Sequence, residues 1–387
     1  MVSEARLFKS FQDIVAIDAE SYHEHAMGLY IKKALKARGL TVTEDQAGET
    51  LKKRCQDPDA DPSGNLFAVL PATGPGDPIL FAAHLDTVKP GRGRKAIVHE
   101  DGTITSAGDT VLGADDGVGL AEILEFLDVL AEDTIPHPEI QFLIASAEEP
   151  YAQGSKLFDY SVVTAKSAYV LDLDGPIGTA AIAAPSILAF SIDVFGKSAH
   201  AGFHPEDGVH AISIAGEAIS RITQGHIDPE TTINIGTIEG GTARNIVPDH
   251  VYLTGEVRSL VDEKATAAYE TMMSLFERAS AYRGGNVTGH TEKAFQALSV
   301  PRDSATVRRF QRACEDLKIP VRLTTTFGGS DNNHIVEHGI PGIVIACGYE
   351  NAHTVREYAS LTAMRQTVEI MLQMSRSNEM EGNDALQ

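Results

Sequence analysis

Histidine and carboxylate side chains recur in this 387-residue sequence at one kind of place, the end of an apolar run or the start of a helical one. PILFAAHLDTV closes an apolar run with His84 and Asp86. VLGADDGVGLAEIL sets Asp115 and Asp116 just ahead of a helical stretch. FLIASAEEPYAQGS ends an apolar run in Glu148 and Glu149, YVLDLDGPIG ends one in Asp172 and Asp174, and GYENAHTVREY places His353 just after another. Each occurrence alone has an ordinary reading: a surface histidine, an acidic helix start, a solvated loop. Together they would crowd carboxylates onto one sheet edge, where they repel one another strongly at low effective dielectric. A pair of divalent cations relieves that repulsion. Imidazole and carboxylate together suit zinc, or else manganese or cobalt, better than calcium.

For these residues to meet, the runs that carry them must be strands of one sheet. Residues 4–38 have helical apolar spacing, with Gly39 as a stop. Segments 65–70, 78–84, 139–146 and 167–175 read as strands, and 117–132 as a helix. Strand and helix alternation predicts an α/β layer with a largely parallel sheet, in which active sites collect at the carboxyl ends of the strands. Near residue 184 the pattern changes. ILAFSIDVFG, TTINIGTIEGG and DHVYLTGEVRS read as strands, HAISIAGEAISRITQG and EKATAAYETMMSLFERASAY as helices, with room for one more strand near 286–297. That is a compact α+β unit of ferredoxin-like type. A helix at 303–317, a buried strand at 340–348 and a long helix at 358–376 return to α/β. The expected domains are therefore a discontinuous catalytic domain, 1–184 and 296–387, interrupted by a smaller α+β domain, 185–295.

Composition narrows the function classes. The charge sum, 32 − 54, is −22, which disfavours nucleic acid and anionic membrane surfaces as partners. No apolar run reaches the roughly 18–20 residues of a membrane span, and the start lacks a signal-peptide core. The expected location is cytoplasmic. Cys55, Cys314 and Cys347 are scattered and odd in number, so neither a disulfide framework nor a cysteine–zinc cluster is expected. A nucleotide enzyme is disfavoured because no G-x-G-x-x-G follows the early strands and no G-x-x-x-x-G-K-[ST] occurs. The tail, SRSNEMEGNDALQ, is polar and expected to fray.

The pieces HLDT, GADD, SAEE, LDLDG, GKSAHAG, GGTARNIVPD, GGSDNN and NAHTVRE, in this order, resemble the peptidase T branch of the co-catalytic zinc peptidases, and the resemblance spans nearly the whole chain. It implies a two-zinc exopeptidase acting on short peptides, with the α+β insertion as a lid and homodimerisation domain. On this resemblance His84 binds one zinc and Asp86 orients its imidazole. Asp115 bridges both zincs, and Asp172 completes the first, with Asp174 as the alternative on the same strand face. Glu149 and His353 bind the second. Glu148 is the general base. His200 of the insertion stabilises the oxyanion, Asn245 binds substrate, and Arg244 or Arg258 meets a substrate carboxylate. The bond Asp115–Asp116 should be cis. Two positions depart from the pattern: Gly117 stands where lysine is common, and Phe327 precedes GGSD where arginine often stands. The leading expectation is an aminopeptidase. An N-acyl amino acid deacylase or a carboxypeptidase would use the same metals, and Glu148 argues against a non-catalytic metal- or peptide-binding protein.

Overall fold

The computed structural model describes residues 1–376, and it divides into two compact units. Among the described residues the first comprises 1–183, 299–326 and 330–376. The second comprises 184–298 and 327–329. The tail expected to fray, 375–387, lies outside the described residues from 377 on.

The first unit is built on a sheet whose centre is four parallel strands. Ile140–Ala145, Ile79–His84, Ser167–Leu173 and Gly342–Ala346 lie side by side in that order. Ile79–His84 and Ile140–Ala145 are buried at every position, as strands covered on both faces must be. The flanks are antiparallel: Leu66–Leu70 pairs with Ile140–Ala145, and Thr179–Ala184 with Gly342–Ala346. The expected largely parallel sheet is thus parallel where it carries the candidate site and mixed outside it.

Strand alternation sorts the core into two layers. Phe81 points to one face, where its ring packs on Phe126, Phe142 and Tyr169 at centroid distances of 5.4, 6.2 and 5.8 Å. Phe126 belongs to the helix Ala114–Asp133, which packs against Glu4–Val15 and Leu361–Ser375. Leu80 and Ala82 point the other way, into a cluster with Leu143, Phe158, Tyr160 and Ile335. The region expected to be helical over 4–38 is two helices, Glu4–Val15 and His25–Ala37. Ser3 accepts the Arg6 N–H and starts the first. A second, small sheet joins Tyr349–Glu350, Tyr358–Ser360, Thr103–Ser106 and Ala96–Val98. Its first two strands form a hairpin whose loop is 351–357.

The second unit is a five-stranded antiparallel sheet in the order Gly225–Asp228, Thr231–Gly240, His250–Ser259, Ser186–Phe195, Asn286–Phe295. Ser186–Phe195 alternates buried and half-buried residues along most of its length, the pattern of a sheet with one covered face. Ile192, Val194, Leu253 and Val257 from the sheet meet Ile214 of Ala211–Ile219, and Met272 and Phe276 of Asp262–Arg283.

Candidate metal centre

His84, Asp115, Glu148, Glu149, Asp172 and His353 converge in the first unit. One ligand-type atom each of His84, Glu148 and Asp172 lies within 4.8 Å of the others, and the same holds for His84, Asp115 and Glu149. His353 joins the second group: its Nε2 is 2.9 Å from Glu149 Oε2 and 3.2 Å from Asp115 Oδ2. The Asp115 carboxylate faces two histidines with different oxygens, since its Oδ1 lies 3.0 Å from His84 Nε2. Asp172 Oδ1 is 3.9 Å from His84 Nε2 and accepts the Tyr349 hydroxyl at 3.0 Å. Asp174 is exposed and lies outside both groups.

Local backbone explains the convergence. His84 is the last residue of its strand, and its backbone N–H donates to Asp116 Oδ2 at 3.1 Å. Asp116 Oδ1 in turn accepts the Gly119 N–H at 3.0 Å, so this acid ties strand end to helix start. Asp115 and Asp116 depart from helical geometry, Gly113 before them is left-handed at φ 74°, and the Asp115–Asp116 bond is cis. Gly113 has no room for a side chain, because a Cβ there would fall 1.9 Å from Arg94 Nη1. Ala147 and His353 adopt left-handed φ of 46° and 63°, conformations that non-glycine residues hold only when their surroundings enforce them. At Ala147 the enforcement includes Glu24, whose Oε1 accepts the Ala147 N–H at 3.0 Å.

Asp86 is fully buried beneath the cluster. His84 Nδ1 is 2.9 Å from the Asp86 backbone carbonyl and 3.5 Å from its Oδ1. The carboxylate mainly serves the next loop: Oδ1 accepts the Glu148 N–H at 2.8 Å, and Oδ2 accepts the Ser21 hydroxyl at 2.7 Å and the Glu149 N–H at 3.3 Å. Asp86 thus fixes the Glu148–Glu149 backbone as well as the imidazole.

Charge is concentrated here. Burial pushes Glu148 well above the usual carboxylate range, and the nearby Asp172 adds to it. Burial does the same to Asp172, reinforced by Asp115. Glu149 is pushed up to about 7 by burial and then by Asp115. Burial alone would raise Asp115, but hydrogen bonds from His353 and His84 outweigh it and hold this carboxyl well below the ordinary range. His353 is drawn up to about 10 by Asp115 and Glu149. His84 also lies well above the usual imidazole value, its carboxylate partners overcoming its burial. Glu149 Oε1 is buried and has no hydrogen-bond partner among the described residues. Protons on imidazoles and acids therefore balance charge that cations would otherwise balance, and the donor set fits divalent transition-metal ions.

The other four predicted site residues lie in the second unit. His200 and Asn245 are exposed neighbours, joined by an Ala201 N–H to Asn245 carbonyl bond of 3.0 Å. His200 Nδ1 accepts the Gly202 and Phe203 N–H groups at 3.1 and 3.2 Å, so Nε2 carries the ring's proton in the neutral form. Arg244 is exposed. Arg258 donates to Glu256 at 2.7 and 3.1 Å and to the Phe327 carbonyl at 2.8 Å. The sequence reading missed Ser21, Glu24, Asp116, Tyr349 and Glu357 as supporting groups. Asp116 and Glu357 stood inside quoted motifs, but no sequence signal marks Ser21 or Glu24.

An α/β sheet with imidazoles and carboxylates gathered at its strand ends, and a separate antiparallel α+β unit, define a metallohydrolase architecture. Residues 65–185 match peptidase family M28, and residues 182–282 match the peptidase dimerisation domain. The chain is 38% identical to aminopeptidase PepT from Bacillus cereus, over 97% of this chain and 98% of that one, with a TM-score of 0.86. A tripeptidase from Staphylococcus aureus is 34% identical over the same shares, with a TM-score of 0.91. The uncharacterized protein YqjE from Bacillus subtilis is 40% identical over 96% of this chain and 98% of its own length. The chain belongs to the peptidase T-like peptidase family, and it is a peptide hydrolase.

Proposed function

We propose that the protein is a two-zinc aminopeptidase that releases the first residue of short peptides. The observation that carries this reading is the Asp115 carboxylate, whose two oxygens face His84 and His353 separately at 3.0 and 3.2 Å. His84, Asp115 and Asp172 would hold one ion, and Asp115, Glu149 and His353 the other, with manganese or cobalt as the alternative metals. Bound there, the metals supply Lewis acidity to the attacking water and the scissile carbonyl.

The chain's own groups do the rest. Glu148, buried beside the candidate metal ligands, takes a proton from the water as its oxygen bonds to the carbonyl carbon. It returns that proton to the amine nitrogen as the C–N bond breaks. Asp86 holds the Glu148 backbone through the 2.8 Å bond and steadies His84. His200, with its proton on Nε2, is proposed to donate to the developing oxyanion. Asn245, Arg244 and Arg258 are proposed to contact the peptide. Homodimerisation through residues 185–295 is supported by the match to a dimerisation domain and by the two edge strands, Gly225–Asp228 and Asn286–Phe295. No helix of the described residues is long and apolar enough to cross a membrane, and a cytoplasmic location is proposed.

The test is metal analysis followed by a panel of dipeptides, tripeptides and their N-acetylated forms. Cleavage after a free first residue, dependent on two metals per chain, is expected. Release of acetate with free peptides untouched would replace the aminopeptidase reading with a deacylase, and release of the last residue would replace it with a carboxypeptidase.

A further inference from the structure

Asp115 and His353 reach the candidate metal centre from segments distant in sequence. Asp115 follows the turn at Gly113, and His353 lies in the hairpin loop 351–357. The last residue of that loop, Glu357, is 2% exposed. Its Oε2 accepts the Gly113 N–H at 2.7 Å, and its Oε1 accepts the Asp115 N–H at 2.9 Å. One carboxylate thus binds two backbone amides of the turn that aims Asp115. It stands four residues after His353 on the same loop, and the Glu357 N–H closes back onto the Thr354 carbonyl at 3.0 Å.

The loop needs such an anchor. Asn351 and His353 are both left-handed, at φ 59° and 63°; these residue types tolerate that region better than most, but two such residues within three positions still cost energy that contacts from outside the loop must offset. Arg94, 3% exposed and packed against Gly113, places a buried positive charge in the neighbourhood of Glu357.

We propose that Glu357 is a positioning residue that latches the His353 loop to the Asp115 turn, so that the Asp115–Glu149–His353 group closes as one unit. The proposal rests on reading those three residues as metal ligands. It assigns Glu357 an unequal effect on the two ions. The group of His84, Asp115 and Asp172 shares only Asp115 with the latch, whereas the other group depends on it through both Asp115 and His353. A glutamine at 357 keeps the shape but turns an N–H₂ towards one of the two backbone donors, losing that bond.

The test titrates stripped full-length protein with Zn²⁺ against a chromophoric chelator, and with Co²⁺ followed by its visible absorption. Wild type should bind two ions per chain. Glu357→Gln should keep one site within about threefold, weaken the other by roughly 10–100-fold, and lose the second increment of the Co²⁺ spectrum. A wild type that binds fewer than two ions overturns the metal reading and this inference together. A wild type that binds two, beside a Glu357→Gln variant with unchanged affinity at both sites, overturns the latch alone. Hydrogen exchange on wild type supplies a readout independent of the variant's folding. The Gly113 and Asp115 amides should open together with loop 351–357, and independent opening overturns the latch.

Discussion

Metal binding to the stripped protein should expel protons, and their number follows from the site. Ligation needs imidazole nitrogens and carboxylates without protons. In the metal-free site His353 is drawn up to about 10, Glu149 up to about 7, and His84 well above its usual value. At pH 7 His353 is mostly protonated and Glu149 about half so, while His84 and the fellow ligand Asp172 are pushed in the same direction. His353 has 56% of its side chain exposed, so solvent screens its partners and it counts for less than a full proton. The expected release is therefore at least one proton as the site fills, from His353 and Glu149 together. Each displaced proton makes overall affinity rise about tenfold per pH unit. Stability carries the same sign. Metal-free native protein binds more protons than the unfolded chain as Glu149 titrates between 4.5 and about 7, and as His353 titrates between 6.5 and about 10. The His353 contribution is complete below its unfolded value and is lost as pH rises through the folded one. The Glu149 carboxyl becomes a buried charge that opposes folding once ionised. Stripped protein should thus lose stability as pH rises from 6 to 8, and the melting-temperature gap to the loaded protein should widen. Calorimetric titration of Zn²⁺ in two buffers of different ionisation enthalpy at pH 7 counts the protons. Release of less than one proton, or a melting gap that narrows with pH, would refute the reasoning.

Three further outcomes are expected. Glu148→Ala should retain both metals and the fold while turnover falls about 10²–10⁴-fold; steady-state rates at verified metal occupancy check this, and activity within a few-fold of wild type removes Glu148 from the mechanism. Gly119→Ala should destabilise by about 1–3 kcal/mol, because a Cβ there would fall 2.4 Å from Asp116 Oδ1 and 2.9 Å from Leu171 Cβ; urea unfolding of the loaded protein measures it, and an unchanged midpoint contradicts the packing. Native protein should show one thiol that reacts with an aromatic disulfide reagent, Cys55, and three in denaturant. Cys314 and Cys347 are buried, and burial pushes Cys314 up to about 12 and Cys347 well above its usual value.

The parallel centre of the sheet was legible because its strands are continuous apolar runs, and three of the four have an imidazole or carboxylate at the end or just beyond it: His84, Glu148–Glu149 and Asp172. Ile79–His84 and Ile140–Ala145 show this directly, since burial at every position leaves the strand terminus as the one place for His84 or for Glu148 and Glu149 to emerge. The helix Ala114–Asp133 was legible for the same reason, as sixteen of its twenty residues are buried. What escaped are elements too short to have a period. Tyr349–Glu350 and Tyr358–Ser360 span two and three residues, so no alternation announces a hairpin, and 358–360 read as the first turn of the following helix. Ser360 decides the matter locally, since it accepts the Ala363 N–H and starts that helix at Leu361. The consequence reaches the candidate site. Without the hairpin, NAHTVRE is a string with one useful histidine. With it, His353 and Glu357 belong to one loop, and the second residue of the pair grips the backbone from which Asp115 projects. Ser21 and Glu24 were hidden for a different reason. Their partners, Asp86 and the Ala147 amide, are fixed by tertiary approach, and one chain's sequence carries no periodic trace of such pairings. The ligands could thus be read from local pattern, whereas the groups that aim them became visible only once the chain was folded.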